Sequence, residues 1–219
     1  PAHQPHGKPA VVIPSADGHL YCLDTESGRT VWTYDGNENL VDHFNNWFEG
    51  NVGLGPDGTL YAGNTNFNYY ALSPAGELKW IYRTGSNAWS IAGFTPGGTI
   101  IWGSCDTFIH GVSLQGKRRW RKRTLGFVAA SAAVSREGPV YIGSFDSHLY
   151  ALDPTKGKTL WTYRTGDHIY SSAALLEENH RTRLILFGST DGFLYALTPA
   201  GELAWSYDTG APIRSSPAI

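Results

Sequence analysis

Four side chains in this sequence have the chemistry to hold a planar or charged ligand: the carboxylate of Glu49, the indole of Trp89, the phenol of Tyr170 and the guanidinium of Arg214. Together with Ala129 they fall at one equivalent position when five similar segments are aligned backward from the turns that follow them. Two residues earlier, the same alignment places Trp47, Asn87, Phe127, His168 and Pro212. Such a set offers stacking faces, hydrogen bonds and a bidentate anion contact on one rim. The plainer reading is a rim whose residues vary because loops on a scaffold vary. His43, in the long segment "NENLVDHFNNWFEG", joins the set if that segment folds over the rim, although a lone histidine among asparagines equally suits solvent.

Other chemistry is thinly represented. The sequence has no Gly-x-Ser-x-Gly elbow, no His-Glu-x-x-His pair, no phosphate loop and no dinucleotide fingerprint. Its two cysteines, Cys22 and Cys105, are read as buried thiols and lack the spacing of a zinc site. The run "GKRRWRKR" from Gly116 to Arg123 is the one strong charge cluster. It is expected to guard an outer strand edge or, alternatively, to meet an acidic partner. A net charge of −2 with 16% charged residues gives no global pull toward nucleic acid, and no apolar run reaches membrane-spanning length.

The elements that must position the rim are repeats. An aromatic or histidine at Tyr21, Tyr70, His110, Tyr150 and Tyr195 is followed each time by a tryptophan, at Trp32, Trp80, Trp120, Trp161 and Trp205. The unit reads as four short strands. In the last copy these are "YSSAALL", "RLILFGS", "FLYALT" and "LAWSYDTG", separated by turn residues. Four-stranded antiparallel units recurring at roughly 40 to 45 residues predict the blades of an all-β propeller. A blade cannot bury its two apolar faces alone, so the five tryptophans are expected to be structural wedges docked between blades.

These residues also carry a family resemblance. "ALDPTKGKTLW" from Ala151 to Trp161 and "CLDTESGRTVW" from Cys22 to Trp32 resemble the tryptophan-docking repeat of quinoprotein-type propellers, which are named for pyrroloquinoline quinone. "ALSPAGELKW", "GVSLQGKRRW" and "ALTPAGELAW" are copies one residue shorter. The resemblance covers essentially the whole chain and implies a fold rather than an activity. Family members range from periplasmic dehydrogenases to the propeller lipoprotein of outer-membrane barrel assembly and sensor domains of bacterial kinases. The resemblance therefore implies an extracytoplasmic, bacterial protein. The dehydrogenases carry an adjacent cysteine pair and a metal held by acidic and amide side chains, and no two cysteines are adjacent here. The expectation is a noncatalytic binding scaffold or sensor domain without a cofactor, meeting another protein or a small ligand at the channel mouth. The alternative is part of a quinone-dependent dehydrogenase using pyrroloquinoline quinone and calcium.

Residues 1–219 are read as one propeller domain or fragment, with repeats at about 9–36, 47–84, 87–124, 127–166 and 168–210. The first repeat lacks an obvious inner strand, and "APIRSSPAI" from Ala211 to Ile219 resembles one. Two arrangements stay open. Ile213 to Ile219 could pair with Val11 to Pro14 and close five blades into a ring, removing exposed edges. Otherwise the five blades form an open arc of a seven- or eight-bladed propeller. The absence of methionine favours a piece of a longer polypeptide.

Overall fold

A computed structural model describes residues 2–3, 9–39 and 45–219. Among them, twenty strands form five four-stranded antiparallel sheets, and the one helical element is a 3-10 turn at Gly36–Asn39. By backbone contacts the chain divides into two compact units, Pro1–Ala92 and Gly93–Ile219.

The first unit holds two sheets. The first consists of Ala2–His3, Pro9–Pro14, His19–Asp24 and Thr30–Asp35; the second of Gly53–Leu54, Leu60–Gly63, Asn68–Leu72 and Leu78–Arg83. The second unit holds three. The third sheet is Gly93–Phe94, Thr99–Gly103, Phe108–Ser113 and Arg118–Arg123. The fourth is Ala133–Val134, Val140–Gly143, His148–Leu152 and Thr159–Arg164. The fifth is Ala174–Glu178, Arg181–Gly188, Phe193–Leu197 and Leu203–Asp208. Sequence neighbours are sheet neighbours throughout, so each sheet is a meander with short turns.

The repeated small residue and the repeated tryptophan have a joint cause. Cys22, Ala71, Gly111, Ala151 and Ala196 lie directly across from Trp32, Trp80, Trp120, Trp161 and Trp205, and the register slips by a bulge immediately after each small residue. A bulge adds twist to the outer edge, and a small partner leaves room for the indole. A Cβ on Gly111 would stand 2.2 Å from the Trp120 ring. The indole then reaches the next sheet. Trp32, Trp120 and Trp161 donate their Nε1–H groups to the carbonyl oxygens of Pro74, Pro154 and Pro199 at 3.1, 2.9 and 2.9 Å. Gly76 and Gly201 turn beneath Trp32 and Trp161 with φ of 84° and 85°, and an added Cβ would meet either ring at 2.6 Å. Only glycine combines that backbone conformation with that approach.

Between sheets the core is aliphatic and aromatic. Ile101, Val128, Val140, Ile142 and Leu152 are buried together with Trp120, and Leu149, Ile169, Ile185, Phe187 and Leu197 form the next cluster. In the first unit, Leu20, Phe48, Leu60, Tyr70 and Leu72 do the same. Full burial stabilises each such side chain by about 1.5–3 kcal/mol relative to exposure.

Two expectations need correction. The edge place in the first sheet is taken by Ala2–His3, which pairs with Pro9 and Ala10, and Ile213 to Ile219 form no strand. The inner strands are also shorter than the sequence suggested, two residues in the second, third and fourth sheets, because the preceding residues run as connecting segments instead. Trp205 departs from the docking pattern. It is 42% exposed on Leu203–Asp208, a strand exposed at every residue.

Candidate functional site

The rim residues sit on the segments that enter each sheet, and one hydrogen-bond pattern positions them. One residue anchors every segment, buried in four cases and half-buried at Ile213: the backbone N–H groups of Phe48, Ala88, Val128, Ile169 and Ile213 donate to the carbonyl oxygens of Ser15, Asn64, Ser104, Ser144 and Ser189 at 3.0–3.3 Å. The carbonyl one residue earlier accepts from the following sheet, as Trp47 does from Thr65 N at 3.0 Å, Phe127 from Phe145 N at 2.8 Å and His168 from Thr190 N at 2.9 Å. In an extended segment side chains alternate, so burying the anchor turns its two neighbours outward. Glu49, Trp89, Tyr170 and Arg214 follow the anchors, and Trp47, Phe127 and His168 precede them.

In the first unit this brings Glu49 and Trp89 together. They line a recess of about 240 Å³ with Trp47 and Phe67. The Thr65 hydroxyl fastens one wall, donating to Asn45 O at 2.7 Å and accepting from Trp47 N at 2.9 Å. Gly50 lies under the Trp89 carbonyl, with no space for a Cβ. The Trp89 Nε1–H is buried without a hydrogen-bond partner among the described residues. Phe67 has φ of 69°, a left-handed conformation shared at the same turn position by Gly18, Thr107, Ser147 and Gly192. A bulky residue there is strained by about 1–2 kcal/mol. His43 lies outside the described residues.

The second unit gathers Tyr170, His168 and Arg214 around a residue that sequence alignment passed over, Phe145. The His168 ring stacks on Phe145 with centroids 5.3 Å apart and planes 3° from parallel, and Tyr170 packs on it at 4.1 Å. Phe127, 48% exposed, adjoins at 6.0 Å. The Arg214 guanidinium lies 5.5 Å from the Tyr170 centroid, within range of a cation–π contact. Phe145 occupies the turn position of Thr65, Cys105 and Thr190, and being the one aromatic there was the available signal. His168 also faces Asp167, whose carboxyl is held below its ordinary value, chiefly by the His168 backbone N–H.

The repeated aromatic of the third strands serves the turns rather than a ligand. Tyr21, Tyr150 and Tyr195 donate from Oη to Asp17, Asp146 and Asp191 at 2.6, 2.6 and 2.8 Å, and burial is the chief cause raising the Tyr150 and Tyr195 hydroxyls. His110 meets Asp106 at 3.0 Å in the same place, stacked on Trp102. In the second sheet the acid is replaced by Asn66, whose Nδ2 donates to Tyr70 Oη at 2.7 Å. The basic run is tied into its own sheet, with Arg119 donating to Gly97 O and Thr99 Oγ1 and Arg121 lying 4.4 Å over Phe108.

The family model described as outer membrane protein assembly factor BamB matches residues 6–95 and 84–218. The chain belongs to this family. The resemblance to the quinoprotein-type repeat is thereby shown across the BamB-type repeats of both units. No curated protein matches the chain. Among the solved structures, the crystal structure of BamB from Moraxella catarrhalis is similar with a TM-score of 0.77 and 18% identity, over 94% of this chain. At that identity the likeness is one of fold, a β-propeller built of four-stranded sheets. The chain spans 63% of the length of that BamB structure.

No two cysteines are adjacent in the sequence, so the cysteine pair expected of the quinone-dependent alternative is not offered. Cys22 is buried within a strand, its thiol pushed up by burial, and Cys105 is buried in a turn. The described residues contain no group of three or more histidine, cysteine, aspartate or glutamate side chains able to hold a metal ion. No described helix is long and apolar enough to cross a membrane.

Proposed function

We propose that this chain is a noncatalytic, protein-binding propeller scaffold of an extracytoplasmic bacterial assembly, without a cofactor. The observation that carries the reading is the cluster of Phe127, Phe145, His168, Tyr170 and Arg214, aromatic surface left on the rim of the second unit beside a guanidinium. Aromatic and arginine side chains in that combination are the usual anchors of protein interfaces. The family description, an assembly factor of the outer membrane, supports the same class of partner and compartment. The rim offers stacking and a fixed positive charge, which suits an extended segment carrying a carboxylate or a carbonyl edge.

A photo-crosslinking residue placed at Phe127 or Tyr170 is expected to give discrete protein adducts in cells, and the same residue at exposed Arg183 is not. Adducts that are absent from the rim, or equal at Arg183, count against it. A dye-reduction assay with added pyrroloquinoline quinone and calcium addresses the alternative. Quinone-dependent turnover overturns the noncatalytic reading.

A further inference from the structure

We propose that the recess of the first unit, walled by Trp47, Phe67 and Trp89 around Glu49, binds an organic cation, an alkylammonium group. The inference concerns a different unit from the rim cluster and does not depend on the protein-binding reading.

Three aromatic side chains and one carboxylate line the recess. Glu49 is exposed at its edge and forms no ion pair with the described residues. Trp89 has its N–H edge buried, so what it presents is ring surface and not a donor. Ring faces attract cations through their quadrupole, and an adjacent carboxylate adds charge complementarity; an anion would meet neither. The second unit contains an internal precedent. At the equivalent rim position, Arg214 lies 5.5 Å from the ring of Tyr170, so that unit brings its own cation to its own aromatic. The recess in the first unit joins aromatic side chains to a carboxylate in one lining.

Phe67 stands at a turn position that is left-handed in all five sheets, with Gly18, Thr107, Ser147 and Gly192 in the other four. In this copy of the turn the residue is aromatic, and it forms part of the wall of the recess. At about 240 Å³ the recess takes a head group rather than a large ligand.

The test is a titration of the 15N-labelled chain with tetramethylammonium chloride, following the indole N–H resonance of Trp89 assigned through Trp89→Phe. Saturable movement of that resonance is expected, and neopentyl alcohol, similar in shape and uncharged, is expected to leave it in place. Glu49→Gln should weaken binding roughly tenfold, and exposed Trp47→Ala at least as much. Both variants are to keep the parent's far-ultraviolet dichroism and melting temperature. A stronger response to Nα-acetyl-lysine methylamide than to tetramethylammonium assigns the group to a polypeptide lysine, and the reverse order assigns it to a free quaternary ammonium ion. No saturable shift, an equal response to neopentyl alcohol, or unchanged affinity in both folded variants overturns the proposal.

Discussion

Along the outer strands one position is tryptophan in all five sheets, whereas along the connecting segments one position is Glu49, Trp89, Ala129, Tyr170 and Arg214. Both rows are held by repeated backbone geometry. They differ in what they face. Trp32, Trp120 and Trp161 each meet the carbonyl of a proline and a left-handed glycine of the next sheet, Gly76, Gly157 and Gly201, so one solution recurs because one neighbour recurs. The rim row faces out from the hydrogen-bonded anchors, and nothing in the repeat dictates its chemistry. Trp205 separates the two causes, because it has the residue type and the bulge of the first row but is 42% exposed.

The largest expected effect tests the docking row. Trp120→Ala should destabilise the chain by about 3–5 kcal/mol in urea denaturation, since the ring is buried among Ile101, Val128 and Leu152. Trp205→Ala should cost under about 1 kcal/mol, as surface substitutions do. Equal losses would break the distinction.

Next come the glycines of the cradle. Gly201→Ala must accept both φ of 85° and a Cβ 2.6 Å from Trp161, while Gly28→Ala accepts φ of 67° with nothing within 4 Å. Gly28→Ala should therefore cost about 1–2 kcal/mol from backbone strain alone. Gly201→Ala should cost visibly more by the same denaturation midpoint, and identical costs would mean that the indole is not seated on the turn.

Tyr170→Ala probes the rim row. Its loss removes one aromatic contact with Phe145 at 4.1 Å and the seat of Arg214, worth about 0.5–1.5 kcal/mol of stability. A melting temperature shifted as far as that of Trp120→Ala would make the rim cluster a structural core instead of a surface.

The smallest effect is in acid. Tyr21 Oη donates to Asp17 at 2.6 Å and is the chief cause holding that carboxyl at about 2. A folded value below the ordinary carboxylate value stabilises the fold above about pH 4, and that stabilisation is lost as pH falls toward about 2. Asp17→Asn, which copies the neutral Asn66 of the second sheet, should flatten the acid limb of a stability profile across that window. An unchanged acid limb would show that the exposed pair contributes nothing.

Much of this was legible in the repeat. The four-strand order, the hairpin turns and the recurrent tryptophan all follow from contacts within one repeat or with its neighbour, so they recur at fixed spacing. Glu49 and Trp89 could likewise be placed on a common rim position by alignment. Phe145 was not recognised, because its role depends on packing against His168 and Tyr170, more than twenty residues away, and no periodicity marks that contact. The strain at Phe67 was equally hidden, since a backbone angle is visible only in coordinates.

The sequence by itself determined five antiparallel sheets and which tryptophan belongs to each, because alternation and turn chemistry are local properties. The tertiary structure alone decided which edge strand completes the first sheet. "APIRSSPAI" looks like an inner strand and Ala2–His3 does not, yet Ala2–His3 takes the edge beside Pro9 and Ala10. The tail instead anchors Ile213 on the Ser189 carbonyl and packs it against Gly188, as the other connecting segments do on their sheets. Strand pairing rewards backbone groups, which every residue carries, so a sequence pattern names candidates for an edge and only the folded chain selects among them.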